Sequence, residues 1–495
     1  MTEKAINYKE RASRRALGVH LTSIEIFLDY IAPEVKNILE NHVWVDLYCG
    51  EGNLILPILK FIPEDKRDEF FKEHIFLFDV QAEMVEKCIN NAIEYNIPED
   101  IAKKNIRQRD SLERFPVGLK KRELPIFHIT NPPYLYLGYI RKHEETKRHF
   151  KYFENENKGY QDLYQIAMMN DLRNNVNNMV YIIPSNFLFG ASVSNKFRED
   201  FLPCYKINKI FIFETKVFKF TGTNICIVFF ERKMYPKNES LKFKGLKIKK
   251  NDKILERDYN LKPEWKYRAG TEFDEFAKNV KAHIPLKVNY YLLHSDVAKN
   301  LGSLNIRVID TNAYVANNYN REDLKVNKNL KNRVISNILY ARTVDTGKYD
   351  GRVGLYEIKE SFNVDGIYVS KATYRTSPIQ IFLEPIISFD DQILLKEFFN
   401  LILEHFRKEL DSEFMTTYKY SNAEYTRKYL GLTQVRKLIE TYPILNLKEE
   451  RREILKELIS KKKITEIIEF LPNKSNPKLR TEQKKKNNLD ITNWF

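Results

Sequence analysis

From Val43 onward, short apolar runs alternate with longer amphipathic stretches, and no other feature of the chain restricts its fold as tightly. The first runs lie in "HVWVDLYCG", "HIFLFDV", "NIRQRD" and "PIFHITN", with "NLILPILKFI" and "QAEMVEKCINNAIEYN" among them. Helix-like "QDLYQIAMMNDLRN" then precedes "NNMVYIIPSN", and helix-like "SVSNKFREDFL" precedes "INKIFIFE" and "TNICIVFFERK". Strands alternating with helices predict a doubly wound α/β sheet. Ligands of such sheets bind beyond the carboxyl ends of the strands, where the chain turns into the next helix. Those ends carry Asp46, Asp79, Asp110 and Asn131. Each alone reads more often as a helix cap than as a ligand, but four polar residues in equivalent places describe a site.

At 495 residues the chain exceeds one ordinary hydrophobic core, so two or more domains are expected. A hydrophobic fraction of 43% with 13% aromatics excludes global disorder. Lys and Arg number 82 against 67 Asp and Glu, an excess of +15 that suits a polyanionic partner such as nucleic acid, although a generally charged surface has the same composition. Cys49, Cys88, Cys204 and Cys226 stand far apart without a CxxC pair, so neither a metal site nor a disulfide framework is expected. The segment "MTEKAINYKERASRR" lacks the apolar centre of a signal peptide, and no apolar run reaches the length of about 18 residues that would cross a membrane. A cytoplasmic protein with no membrane partner is expected.

After Lys233 the texture becomes charged and loop-rich, with strand-like "RVGLYEIKE", "GIYVSKATYR" and "QIFLEPIISF", then helical "DDQILLKEFFNLILEHFRKEL" and "LTQVRKLIETY". A mixed α+β second domain over 237–470 is expected, following a first domain over 1–236. From Leu471 the Pro, Asn and Lys run "LPNKSNPKLRTEQKKKNN" predicts a flexible basic tail over 471–495.

In "DLYCGEGNL", Gly50 and Gly52 stand where a tight turn brings backbone close to a ligand. No third glycine follows, so this is not the dinucleotide fingerprint. Asp79 is placed like the acidic residue that accepts hydrogen bonds from ribose hydroxyls, and Asp110 could accept from an adenine amino group.

Asn131-Pro132-Pro133-Tyr134, ending the fourth run, is where a resemblance becomes specific. The chain resembles the S-adenosylmethionine-dependent amino-methyltransferases, in particular the N6-adenine DNA methyltransferases, over about residues 14 to 232. That resemblance implies a Rossmann-like seven-stranded methyltransferase domain. In the family's order, "GVHLTSIEIFLDYI" resembles the segment whose backbone around Gly18 and whose Thr22 hydroxyl meet the methionine carboxylate, and "YIIPSNFLFG" the segment after the fifth strand. "KVFKFTGTNICIVFF" resembles the one whose aromatic, here Phe218, stacks on the target base. The resemblance implies cofactor binding by Gly18, Thr22, Asp46, Gly50, Gly52, Asp79 and Asp110, catalysis by Asn131 to Tyr134, and a target-recognition domain after the catalytic one. Leu47, Glu51, Leu54, Ser23 and Asp79 depart from the usual family residues.

Chemistry explains the motif's residue types. An amine conjugated to a purine is a poor nucleophile because its lone pair spreads into the ring. The Asn131 amide oxygen and the Pro132 carbonyl can each accept one amine hydrogen, favouring a pyramidal nitrogen aimed at the sulfonium methyl, while Tyr134 stacks on the base. Pro132 and Pro133 fix the backbone without adding an N–H. A base inside a duplex must be extruded first, and Tyr134 with Phe218 would replace its neighbours. Phe218 reads equally well as core packing. The same tetrapeptide occurs in ribosomal RNA methyltransferases and in enzymes that modify a release-factor glutamine, so an RNA substrate stays open, as does a non-catalytic DNA-associated scaffold.

The chain closes in "NLDITNWF", with Asn488, Ile491, Trp494 and Phe495 at i, i+3, i+6 and i+7. This resembles the peptide that binds the sliding clamp PCNA, with Asn488 in place of the usual Gln, and implies recruitment by the clamp. A tail folded back on its own protein explains the aromatics equally well.

Overall fold

The structure is a computed structural model that describes residues 22–218, 224–249, 253–316, 318–346, 351–371, 377–417 and 426–472. The chain divides into two compact units at Ala269/Gly270.

The first unit is built on one sheet of nine strands: β1 (Val43–Asp46), β2 (Ile75–Asp79), β3 (Ile106–Gln108), β4 (Ile126–Thr130), β5 (Asn178–Pro184), β6 (Tyr205–Phe213), β7 (Ile225–Arg232), β8 (Leu241–Ile248) and β9 (Ile254–Leu261). Their order across the sheet is β3-β2-β1-β4-β5-β7-β6-β8-β9. The pairs from β3 to β5 are all parallel, and β7 runs antiparallel to both its neighbours. In β1 all four residues are buried, as expected of a central parallel strand covered on both faces. Trp44 anchors it, stacked on Phe127 with ring centroids 4.9 Å apart and donating its indole N–H to the Leu39 carbonyl at 2.7 Å. Helices connect the strands, among them the amphipathic Ala82–Glu94 and the largely buried Leu163–Arg173.

The expected α/β sheet is present, but with nine strands in place of seven. In "LKFKGLKI", β8 buries Leu241 and Phe243 while Lys242 and Lys244 stay exposed, so its apolar signal is half hidden by lysines and reads as charged loop. β8 lies parallel to β6, and β9 closes against it as an antiparallel partner. The first unit therefore runs past the boundary expected at 236.

The second unit combines two four-stranded sheets with helices, as the mixed α+β texture implied. One sheet has β10 (Lys287–Tyr290), β17 (Ile379–Glu384), β14 (Leu339–Arg342) and β15 (Gly354–Glu357); the other has β11 (Leu292–Leu293), β16 (Gly366–Val369), β12 (Leu301–Val315) and β13 (Asn318–Val326). The helix Phe389–Glu409 buries Leu395, Phe398, Phe399, Ile402 and Leu403, an i, i+3, i+4, i+7, i+8 stripe, and its N-cap Ser388 accepts from the Asp391 N–H at 3.1 Å. Among the described residues no helix is long and apolar enough to cross a membrane, and no group of three or more His, Cys, Asp or Glu could hold a metal ion.

Candidate active site

The chain leaves β1 for β2 and β3 on one side and later crosses to β4 on the other, so the sheet reverses direction of construction between β1 and β4. A crevice at that switch point is the expected ligand position. The turn after β1 has Gly50 at φ +53° and Gly52 at φ +84°, backbone that other residues rarely adopt. A Cβ on Gly52 would lie 2.6 Å from Leu56 Cδ1 and 2.8 Å from Cys88 Sγ, so space as well as torsion demands glycine there. Asp79, at the end of β2, shapes this turn: one oxygen accepts from the Gly50 N–H at 2.9 Å, the other from the Gln81 N–H at 2.8 Å. Burial pushes the Asp79 carboxyl above its ordinary value, opposed by those N–H groups.

Asn131 follows β4 directly. Its Nδ2 donates to Thr22 Oγ1 at 2.9 Å, and its Oδ1 accepts from the Tyr134 hydroxyl, which also approaches the Ile182 carbonyl at 2.5 Å. Thr22 is itself held by Asn53 of the glycine turn, whose Nδ2 donates to the Thr22 carbonyl at 2.9 Å. The glycine turn, Thr22 and Asn131 are thus linked by consecutive hydrogen bonds. Burial keeps the Tyr134 hydroxyl protonated, far above the usual tyrosine range.

Beneath these residues lies a polar network that no sequence motif marks. His128 and Asp171 are 1% and 0% exposed, with Nδ1 and the carboxylate 2.5 Å apart, and the Tyr181 hydroxyl donates to the same oxygen at 2.6 Å. His128 Nε2 accepts from the Leu47 N–H at 3.2 Å, which assigns the ring proton to Nδ1. Asp46 accepts from the Thr130 hydroxyl at 2.6 Å and the Tyr48 N–H at 2.9 Å. Burial raises its pKa to about 6, opposed by the hydrogen bonds from Thr130 and Tyr48. These bonds lock the ends of β1 and β4 in register. Asp162 does the same for the segment after Tyr134, accepting from the Leu135 N–H at 2.9 Å; burial raises its pKa to about 7. A histidine inside the apolar run "FHIT" is the one local hint of the first network; nothing local marks Asp162.

An open cavity of about 880 Å³ joins these elements. Thr22, Asp46, Gly50, Asp79, Asp110, Asn131 and Pro133 all line it; Gly52, Pro132, Tyr134 and Phe218 are not in its wall. Asp110 lies two residues beyond β3, where its carboxylate takes the Tyr152 hydroxyl at 2.6 Å and the Glu113 N–H at 3.2 Å. Tyr134 and Phe218 are both buried, 9% and 5% exposed, within the core of the first unit. Gly18, Asn488, Ile491, Trp494 and Phe495 lie outside the described residues. The Asp79 oxygens keep unused lone pairs beside this cavity, and Leu54, Val80 and Leu112 supply apolar wall.

No curated protein matches the chain. Among solved structures, the restriction-modification enzyme MmeI in complex with DNA is 13% identical, covering 91% of this chain and 80% of that one, with a TM-score of 0.45. A modification subunit assigned to a type I restriction enzyme of Vibrio vulnificus YJ016 is 17% identical with a TM-score of 0.33. That likeness covers 50% of this chain, which spans about half (51%) of the subunit's length. The EcoKI M protein, from a type I restriction enzyme, is 12% identical over 59% of this chain and 60% of that one, at a TM-score of 0.32. The sequence itself matches the model of the N-6 DNA methylases over residues 24–299, more than half of its 495 residues, and the chain belongs to that family.

Proposed function

We propose that the chain transfers a methyl group from S-adenosylmethionine to the exocyclic N6 amine of adenine in double-stranded DNA, at a site read by the second unit. The observation that carries this reading is the hydrogen-bonded link from the glycine turn through Thr22 to Asn131, which joins an open cavity bearing the Asp79 carboxylate to an amide acceptor. When bound, the cofactor supplies an electrophilic sulfonium methyl. Asp79 would hold the ribose, with Asp46, Asp110, Gly50 and Thr22 forming the rest of its pocket, Gly52 shaping the turn behind it and Gly18 contributing backbone.

The Asn131 oxygen and the Pro132 carbonyl would each accept one hydrogen of the target amine. This keeps its lone pair out of conjugation and directed at the methyl group. Positioning and fixed dipoles suffice for such a transfer, because no covalent nucleophile is required. Base extrusion belongs to the same proposal: Tyr134 and Phe218 would face the extruded adenine, which requires their covered ring faces to open when DNA binds. Target recognition is assigned to residues from Gly270 onward; the expected span 237–470 begins within the catalytic sheet.

The test is incubation with radiolabelled S-adenosylmethionine and, separately, genomic DNA lacking adenine methylation, total RNA and release factor, with Asn131→Ala as control. Label recovered as N6-methyladenine in DNA and lost in the variant is expected. Label in RNA or protein alone would keep the chemistry and discard the substrate, and cofactor binding without any transfer would favour a scaffold. The tail spacing of Asn488, Ile491, Trp494 and Phe495 supports clamp recruitment as an accessory proposal. Deleting Leu489 to Phe495 should abolish clamp binding and spare methylation of short duplexes; unchanged clamp affinity would sink it.

A further inference from the structure

We infer that Thr22 is a positioning residue that sets which way the Asn131 amide faces, so that its oxygen, and not its nitrogen, meets the reacting amine. The inference rests on the reading of Asn131 as the amine's acceptor. An asparagine amide has two ends of nearly the same shape and opposite hydrogen-bonding character. With the oxygen forward, Asn131 accepts an amine hydrogen. With the nitrogen forward, N–H would oppose N–H and the amine would be turned away.

Tyr134 does not fix this choice. Its hydroxyl lies against both Asn131 Oδ1 and the Ile182 carbonyl, and it carries one proton. With that proton given to Ile182, the Tyr134 oxygen would accept from Nδ2 of a reversed amide as readily as its proton now serves Oδ1. The Asn131 Nδ2 to Thr22 Oγ1 bond at 2.9 Å holds the amide's other end and distinguishes its two orientations.

Thr22 is 7% exposed, lines the cavity, and is tethered by Asn53 to the glycine turn. A hydroxyl can donate as well as accept, so it enforces one orientation only when its own proton is committed elsewhere. An acceptor atom of the molecule bound in the cavity would take that proton. The hydroxyl oxygen would then have only lone pairs left for Asn131, and Nδ2 is the only end of the amide that can use them. Donating also makes that oxygen a better acceptor. Thr22 thereby makes the catalytic amide correct when the cofactor cavity is filled.

Thr22→Val removes the hydroxyl at nearly constant shape, and Thr22→Ser restores it. In single turnovers on methylatable DNA at saturating cofactor, Thr22→Val is expected to slow transfer by roughly tenfold or more, and Thr22→Ser to stay within about threefold of the parent. A second readout needs no turnover: S-adenosylhomocysteine should tighten binding of a methylatable duplex, read by fluorescence anisotropy, and that tightening should vanish in Thr22→Val and return in Thr22→Ser. If Thr22→Val weakens S-adenosylhomocysteine in calorimetry but leaves both the saturating rate and the tightening intact, Thr22 is only a cofactor contact and the inference is overturned. A parent protein that methylates no DNA overturns the functional reading and this inference together, whereas an active parent with an unaffected Thr22→Val rate overturns the inference alone.

Discussion

Buried polar residues at the cavity of the first unit and those in the core of the second are used in opposite ways. In the second unit they are closed on themselves. Asp345, fully buried on the segment after β14, takes two N–H groups of Arg407 at 2.6 and 3.2 Å and the backbone N–H groups of Val353 and Lys428, both at 3.0 Å. Gln380 in β17 likewise accepts from the Ile367 N–H at 2.9 Å and donates to the carbonyls of Asn337 and Val334. In the first unit, each Asp79 oxygen holds one backbone N–H and keeps capacity facing a cavity. A buried carboxylate is therefore informative about function when its acceptor capacity is unspent, and about stability when it is full.

The sharpest way to break that distinction is Asp345→Ala. It removes both short bonds of Arg407, itself 7% exposed, leaves it the longer 3.7 Å contact to Glu404, and should cost about 3–5 kcal/mol of unfolding free energy. Calorimetric cofactor affinity of the folded fraction should be unchanged; a loss of affinity would show that Asp345 does more than staple. Asn131→Ala should do the reverse, lowering the single-turnover rate by about 10²- to 10³-fold with little change in melting temperature.

Asp162 tests the boundary between the two uses. Its folded pKa of about 7 lies above the ordinary carboxylate value, so its contribution is fully present at low pH and is lost as pH rises toward and through 7. The loss amounts to at most about 4 kcal/mol. Asp162→Asn, neutral throughout, should therefore gain stability relative to the parent between pH 5 and 8 in thermal melts, and a constant difference would remove Asp162 from the buried, titrating class. The smallest effect is expected from Asp79→Asn. One amide oxygen can replace only one of the two acceptors at Gly50 and Gln81, and S-adenosylhomocysteine should bind roughly tenfold more weakly, with a melting temperature close to the parent's.

How much of the fold and site is legible in the sequence follows from how local the signals are. β1, β2 and β4 are apolar runs ended by polar residues, and the turn at Gly50 and Gly52 is dictated by adjacent residues. The amino-acid order alone thus places Asp46, Asp79 and Asn131 at the carboxyl ends of strands. It does not supply their partners, because those are set by tertiary contact: Thr22 reaches Asn131 and His128 reaches Asp171 across 109 and 43 residues of chain. β8 escapes such a reading because alternating lysines cancel its apolar average, although its period of two is present. Asp110 sits at an expected strand end, yet its carboxylate is engaged by Tyr152, a residue with no sequence mark.

The two strands beyond β7 also decide which border of the sheet meets its surroundings. Without β8, the backbone of β6 around Ile210 and Ile212 would present unpaired N–H and C=O groups beside apolar side chains, an arrangement that recruits strands from other molecules. β9 ends the sheet with Glu256, Arg257 and Asp258 in succession, and Lys244 of β8 pairs with Glu256 at 2.7 Å. Charge discourages further pairing there. A fragment cut at 236 would expose a sticky border and self-associate, whereas one cut after Ala269 would carry its own guard.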